Sequence, residues 1–555
     1  MRRVLALALA LLSIGSAANA QMDTAARGIA GYALTSNAPV NSIPGFVNIG
    51  PQQASQLLKD IANVNVTTQT RVGTRWAFVG DSVMAGHCAL GACVDSRISS
   101  WPFQLAAMLN NAGIPATSDS WFGCSNNTTT GTCATFDTRL TFGTGWTILN
   151  QNSFGGTVPN FPASTTPAAL TFATAGPWNQ LDAYVIAGTA ASNFTFDRGG
   201  STAGESCSVI SQTGATTTCS GGTVTTTNGT PGLALVRFTF TGNAIAGAVN
   251  VNATTNAQGK FYVIGEAVRD TANPKIEIYN GGFGGSTSIS WTTGAQAIYG
   301  TTSLLVSSFL NPTVTFNGLG VNDWNPSATP ISTFQTNMTT LQTAANATGM
   351  NVFIFDVQSN PASFASVATQ NSYGAVLQGL STAANQPFIN FQYRWTNWAN
   401  ASALGFMGNS GADARHPSAT GYQDLASYVA SGLIRLTGSN GKYLPGSPTC
   451  NLAMPAISSG FGTSPAIVGS NGTCSFQVNV GTGGTANSGV IGLTPAAPNG
   501  WTCQATDITT NSTTVFVTKQ TASTTSSCTV GNFNDIAAAA AWTASDKLQV
   551  IATPY

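Results

Sequence analysis

The segment Arg75-Trp76-Ala77-Phe78-Val79 reads as a buried strand, and it ends directly on Gly80-Asp81-Ser82. Residues 100 to 111 then have the apolar spacing of an amphipathic helix, with Ser99 or Ser100 as its cap and Gly113 as its stop. A buried strand followed by a helix opens an α/β unit. The same rhythm returns late in the chain, with strands expected at 275–279, 313–316, 350–357 and 387–393 and helices at 331–347 and 418–435. A further short helix is expected at 52–61. Parallel strands alternating with helices bring their carboxyl ends to one edge, where sites assemble.

Between these two stretches the texture changes. From about residue 182 to 272 short alternating segments are separated by Gly, Asn, Ser and Thr turns, with no helical period. That pattern predicts a β-sandwich inserted into an α/β domain spanning 21–440. Pro445 and Pro448 mark a linker, after which 441–555 is again rich in Gly, Thr and Ser and reads as a separate all-β module.

Charged residues make up only 7% of the 555, and the formal net charge is zero. Nucleic acids and anionic membrane surfaces both require clustered Lys and Arg, so neither is expected as a partner. With 43% hydrophobic residues the chain is expected to fold rather than remain disordered. Arg2 and Arg3, the apolar run 4–12 and Ala18-Asn19-Ala20 have the form of a secretory signal cleaved after Ala20. The run is broken too early by Ser13, Gly15 and Ser16 for a span, which needs about 18 to 20 apolar residues. An exported chain is expected to oxidise its ten cysteines, and they fall into five neighbouring pairs: Cys88/Cys93, Cys124/Cys133, Cys207/Cys219, Cys450/Cys474 and Cys503/Cys528. No Cys-x-x-Cys occurs, which argues against a zinc site.

Four motifs carry candidate chemistry. Gly80-Asp81-Ser82 would present a serine at the sheet edge, its backbone N–H free to face a developing oxyanion. A glycine block, 280–287, follows the strand at 275–279 and permits close backbone approach. Gly318-Leu319-Gly320-Val321-Asn322-Asp323 follows the next strand and offers the Asn322 amide. Asp413-Ala414-Arg415-His416-Pro417 holds one of only two histidines in the chain. If an imidazole base is needed, His416 is the foremost candidate, with Asp413 to fix its tautomer.

In this order the four motifs resemble those of the SGNH (GDSL-type) hydrolase family, over roughly 70–180 and 270–440. The resemblance implies a flavodoxin-like three-layer α/β/α sandwich, Ser82 as nucleophile, His416 as general base and Asp413 as its orienting acid. It implies oxyanion donors in the N–H groups of Ser82 and Gly285 and in Asn322, with Gly284, Gly282 or, in an earlier block, Gly123 as alternatives to Gly285. No metal or organic cofactor is implied. The expected activity is that of a secreted serine esterase acting on acetyl esters of a polysaccharide or other glycan, with a short-chain aryl or lipid esterase as the nearest alternative. A non-catalytic glycan-binding or tail-fibre-like surface protein is the rival from another class. His87, five residues past Ser82, is expected to be a loop residue beside a disulfide, with contact to substrate as the alternative. Trp324, Tyr393, Trp395, Trp398 and Phe406 are candidates for a substrate-facing aromatic wall. Oligomeric state is not legible.

Overall fold

The computed structural model describes residues 45–49, 52–65, 73–90, 93–125, 130–150, 154–161, 169–174, 176–187, 193–200, 205–219, 223–225, 232–253, 261–293, 302–325, 329–408, 413–436, 455–470, 475–483, 485–493, 497, 499–509, 517–534 and 538–554. The expected signal segment 1–20 and the Cys450/Cys474 pair lie outside them. The chain divides into two compact units, Met1–Gly438 and Ser439–Tyr555.

The strand predicted around Phe78 runs from Thr74 to Gly80 and is buried at almost every position. It lies between Val314–Gly318 and Ile276–Asn280, parallel to both. Met350–Phe355 and Phe388–Asn390 continue the parallel sheet beyond the first neighbour, and the short Ala116–Thr117 flanks the second. A two-residue strand, Phe46–Val47, closes the far edge antiparallel. The chain therefore leaves the Thr74–Gly80 strand in one direction and later resumes on its other side. Such a switch point opens a crevice beyond the strand carboxyl ends.

Alternation of side chains splits the central strand between two helical layers. Trp76 and Phe78 face one way: Phe78 stacks on Phe316 at 4.6 Å and meets Trp101 edge-on at 5.1 Å. Trp101 opens the helix Trp101–Asn111, which packs against the long helix Ala419–Leu436. Trp76 donates its indole N–H to Asp60 on the helix Ser55–Asn65. On the opposite face the helix Ile331–Thr348 packs against Val314–Gly318 and Met350–Phe355, and the helix Val367–Ala383 covers the latter strand, where Gly374 lets Phe355 approach. Each fully buried aromatic ring contributes roughly 1.5–3 kcal/mol through lost water contact.

Between Ala116–Thr117 and Ile276–Asn280 the chain builds two antiparallel sheets. Leu170, Phe172, Phe194, Phe196 and Val251 of one sheet and Leu181, Val185, Phe238 and Val263 of the other share a single apolar core. The strands of these sheets begin upstream of residue 182, at Leu140–Phe142 and Thr147–Asn150. These strands are three and four residues long, too short to show a period in the sequence. In the second unit, two four-stranded antiparallel sheets enclose Phe476, Val478, Trp501, Val530, Trp542 and Val550. Four of the five expected disulfides are formed: Cys88–Cys93, Cys124–Cys133, Cys207–Cys219 and Cys503–Cys528. No helix among the described residues is long and apolar enough to cross a membrane.

One ion cluster fastens the antiparallel sheet to the parallel one. Asp182 is fully buried and meets Arg237, Arg269 and Arg75, the last from the central parallel strand. Arg269 also grips Glu277 on the neighbouring parallel strand. Burial alone would raise the Asp182 carboxyl, but the three guanidinium groups outweigh it and hold the group well below its ordinary value. A carboxyl depressed on folding adds stability that is full above its unfolded pKa near 4 and fades as pH falls. Removing one partner of such a buried set typically costs about 3–5 kcal/mol. Asp182→Ala is therefore expected to lower the midpoint of chemical denaturation of the first unit strongly at pH 7 and by a smaller amount at pH 3, where only the first part of that stability has been lost. An equal loss at both pH values would contradict the ionic account.

Candidate active site

Ser82 begins a single helical turn, Ser82–Ala85, immediately past the central strand. Asp81 caps that turn by accepting the Val83 N–H at 2.9 Å, and Gly86 ends it in the left-handed region. The first N–H groups of a helical turn have no partner within it, so the Ser82 N–H is left for a ligand.

The two neighbouring strands deliver the next two motifs, and hydrogen bonds lock all four together. Gly281 and Phe283 donate to the carbonyls of Phe78 and Gly80, and the Ser286 hydroxyl donates to Gly80 as well. A Cβ on Gly282 would lie 2.6 Å from Met84 Cβ and from the Ala85 nitrogen, so only glycine allows this block to close on the serine turn. Asn322 donates its Nδ2 to the Ser286 carbonyl at 3.0 Å and accepts Arg415 Nη1 on its Oδ1 at 3.2 Å. That pairing fixes the amide orientation and leaves the second Nδ2 proton uncommitted. Asp323 holds the Ser288 hydroxyl at 2.7 Å and its N–H at 3.0 Å.

Ser82 Oγ lies 2.9 Å from His416 Nε2, and His416 Nδ1 lies 3.1 Å from Asp413 Oδ1. Asp413 Oδ1 also accepts the N–H groups of Arg415 and His416, so the loop is folded around its own carboxylate. The carboxylate sets the tautomer: Nδ1–H donates to Asp413, and Nε2 is left to accept from the serine. Ser82 and His416 are both buried. Burial pushes the His416 pKa down, with help from His87 and Arg415, while Asp413 partly restores it; the net shift is below 6.5. Burial would raise Asp413, but the hydrogen bonds and charge of His416 and the two backbone donors bring it to about 2.

Gly285 is exposed, sits at φ +75°, and has open space where a Cβ would stand. The rival Gly123 follows Trp121–Phe122, a strand that pairs antiparallel with Phe261–Arg269 and not with the central strand. The block following Ile276–Asn280 is thus the one adjoining Ser82.

Several contacts at the site carried no sequence signal. The sulfur of Cys88 lies 3.4 Å from Asp413 Oδ2 and 3.7 Å from His416 Nδ1, so the Cys88–Cys93 bridge walls off the acid–base pair. Both sulfurs are spent in that bridge, which leaves no thiolate for a metal in the clusters His87/Cys88/His416 and Cys88/Cys93/Asp413. Behind the serine, burial pushes the Asp81 carboxyl up to about 7, with Asp323 adding to the effect. Burial and then Asp81 raise the Asp356 carboxyl well above its usual range. Of the expected aromatic wall, Trp324 is buried against Phe355 and Tyr373, and Trp395 is buried and donates to Asp424. Trp398 instead holds the acid loop, donating its indole N–H to the Asp413 carbonyl at 3.0 Å. A cavity of about 440 Å³ lies elsewhere, near the opposite ends of the strands, lined by Arg75, Arg237, Arg269 and Glu277. Those charges are already engaged with Asp182 and with one another.

No protein-family model and no curated protein matches the chain. Among solved structures it pairs with a peptidoglycan O-acetylesterase at 14% identity and TM-score 0.48, over 71% of this chain and 99% of that one. It also pairs with a lipase/acylhydrolase from Enterococcus faecalis (17%, TM-score 0.23, 30% and 77% of the two chains). A third match is a family two carbohydrate esterase from Clostridium thermocellum in complex with cellohexaose (12%, TM-score 0.22, 52% and 99%). A serine at the end of a central parallel strand, with an imidazole–carboxylate pair brought against it, is the geometry that serine-nucleophile chemistry requires. The four motifs, in their order along the chain, resemble those of the SGNH (GDSL-type) hydrolases.

With only two histidines, each imidazole can be followed separately by nitrogen-15 NMR. The ring of His416 is expected to titrate below 6.5 and to keep its proton on Nδ1 when neutral. A midpoint above 7 would contradict a buried, neutral base.

Proposed function

We propose that the chain is an exported carboxylic ester hydrolase that works through an acyl-enzyme on Ser82, with acetyl esters on a polysaccharide or other glycan as substrate. The reading is carried by one observation, the continuous hydrogen-bonded line from Ser82 Oγ through the His416 ring to Asp413. His416 takes the proton as Ser82 attacks the ester carbonyl, and Asp413 stabilises the imidazolium that forms. The oxyanion is received by the N–H groups of Ser82 and Gly285 and by the uncommitted Nδ2 proton of Asn322. His416 then passes its proton to the departing alcohol. Water, activated by the same imidazole, releases the acid and restores Ser82.

We read the parallel sheet and its two helical layers as the flavodoxin-like core, interrupted by a β-sandwich and followed by the β module beyond residue 440. The disulfides fit an oxidising compartment. Low charge and two flanking β modules favour a neutral, extended substrate over a charged polymer. The Asn322 amide is hydrogen-bonded to the Ser286 carbonyl, next to Gly285, which ties the two loops together and supports a joint role.

The test is turnover of p-nitrophenyl acetate together with acetate release from acetylated polysaccharides. Ser82→Ala is expected to abolish both while the protein keeps its melting temperature; retained turnover removes the nucleophile assignment. Asn322→Ala is expected to lower kcat about 10²- to 10³-fold with a lesser change in KM. An effect confined to KM would deny it the oxyanion. On the acid side, kcat/KM should fall with an apparent pKa below 6.5, as the lowered value for His416 requires. Loss of activity beginning above pH 7 would point to a different base.

A further inference from the structure

Both histidines of the chain stand at the site, and each is paired with an aspartate. His87 follows the serine turn directly: its N–H donates to the Ser82 carbonyl at 3.0 Å, and its own carbonyl accepts the Tyr422 hydroxyl at 3.0 Å. Its ring packs on that of His416, with centroids 4.6 Å apart and planes inclined at 61°. His87 Nδ1 lies 2.7 Å from Asp95 Oδ1. Asp95 is itself buried and anchored, since the Ser125 hydroxyl lies 2.6 Å from its other oxygen and 2.9 Å from the Gly282 carbonyl. The anchoring chain thus runs from the His87 ring back into the glycine block.

A histidine that only fills space commonly spends both ring nitrogens or is fully enclosed. Here Nδ1 is committed to a carboxylate; in the neutral ring this keeps the proton on that nitrogen and leaves Nε2 as an acceptor. No group among the described residues meets Nε2, and the side chain is 25% exposed. The protein therefore holds, against its general base, a second imidazole of fixed tautomer with one nitrogen open.

We propose that His87 is a specificity-determining residue for the alcohol half of the ester: its Nε2 accepts a hydrogen bond from a hydroxyl next to the ester oxygen, as a sugar ring presents. This rests on the reading of Ser82 and His416 as nucleophile and base. The departing alcohol takes its proton from His416, and His87 is the polar side chain whose ring lies on that one. An alcohol bearing a neighbouring hydroxyl gains a contact that a bare phenol does not. Asp95 is a positioning residue, acting through the His87 tautomer.

The experiment compares kcat/KM on a mono-acetylated sugar with that on p-nitrophenyl acetate, for the wild type, His87→Phe, His87→Gln and Asp95→Asn. His87→Phe keeps a ring against His416 and removes the acceptor. It is expected to lose at least tenfold more on the sugar acetate than on the aryl acetate, mainly through KM. His87→Gln, which retains a polar acceptor, should recover part of that loss, and Asp95→Asn should show a smaller loss of the same kind. Equal losses on both substrates, or no loss on either, would overturn the proposal. Where His87→Phe does not fold, His87→Gln against the wild type carries the same comparison, and substrate-independent loss has the same meaning. A wild type that hydrolyses neither ester, or a Ser82→Ala variant that still hydrolyses them, would overturn the esterase reading itself. A failure of His87 alone appears only in a Ser82-dependent enzyme.

Discussion

The 2.9 Å contact between Ser82 Oγ and His416 Nε2 joins residues 334 positions apart, and much of the surrounding structure holds it. The serine is fixed by the end of a buried strand and the cap that Asp81 supplies. The imidazole is fixed by Asp413, whose loop is in turn held by Trp398 and walled by the Cys88–Cys93 bridge. Because the two anchors come from distant parts of the chain, the contact exists only if the parallel sheet sets them in register. Burial then tunes the chemistry: desolvation alone would make His416 a weaker base, and the neighbouring carboxylate offsets part of that loss.

Charge is rare in this chain and is placed with effect. Asp182 is surrounded by guanidinium groups and stays ionised, so it acts as a clasp between sheets. Asp81 and Asp356 are as deeply buried, but only Arg415 opposes the effect at Asp81 and it is outweighed, so burial drives both carboxyls upward. The same residue type therefore serves as an ionic anchor in one place and as a hydrogen-bonding cap with a raised pKa in another. What separates the two is the count of positive partners within the low-dielectric interior.

Much of the α/β core could be read from residue pattern. Phe78, Val314 and Met350 sit in apolar runs bounded by glycine, and runs of that kind predict buried strands. The order of the rim motifs was equally visible, because each directly follows such a run. What stayed hidden depends on packing between distant segments. Trp324 and Trp395 look like site aromatics by proximity in sequence, yet both turn inward. Nothing local to Trp398 says that its indole reaches the Asp413 carbonyl, and nothing near His87 says that its ring meets His416. The antiparallel sheets begin earlier than the residue texture indicated, since strands of three or four residues carry too few alternations to register. In the glycine block, sequence left several candidates; the parallel pairing of Ile276–Asn280 with the central strand is what singles out that block over the one at Gly123.

The chain leaves the core sheet after Ala116–Thr117 and re-enters beside it at Ile276–Asn280, so the intervening sheets hang from two adjacent strands. That arrangement has a consequence in time as well as in space. Ribosomes add about 5–20 residues per second, so roughly 20 to 70 s separate the synthesis of Ser82 from that of His416. Throughout that interval the hydroxyl lacks the imidazole partner it has in the folded chain. That contact can form only once the segment carrying His416 has been made and has joined the core sheet.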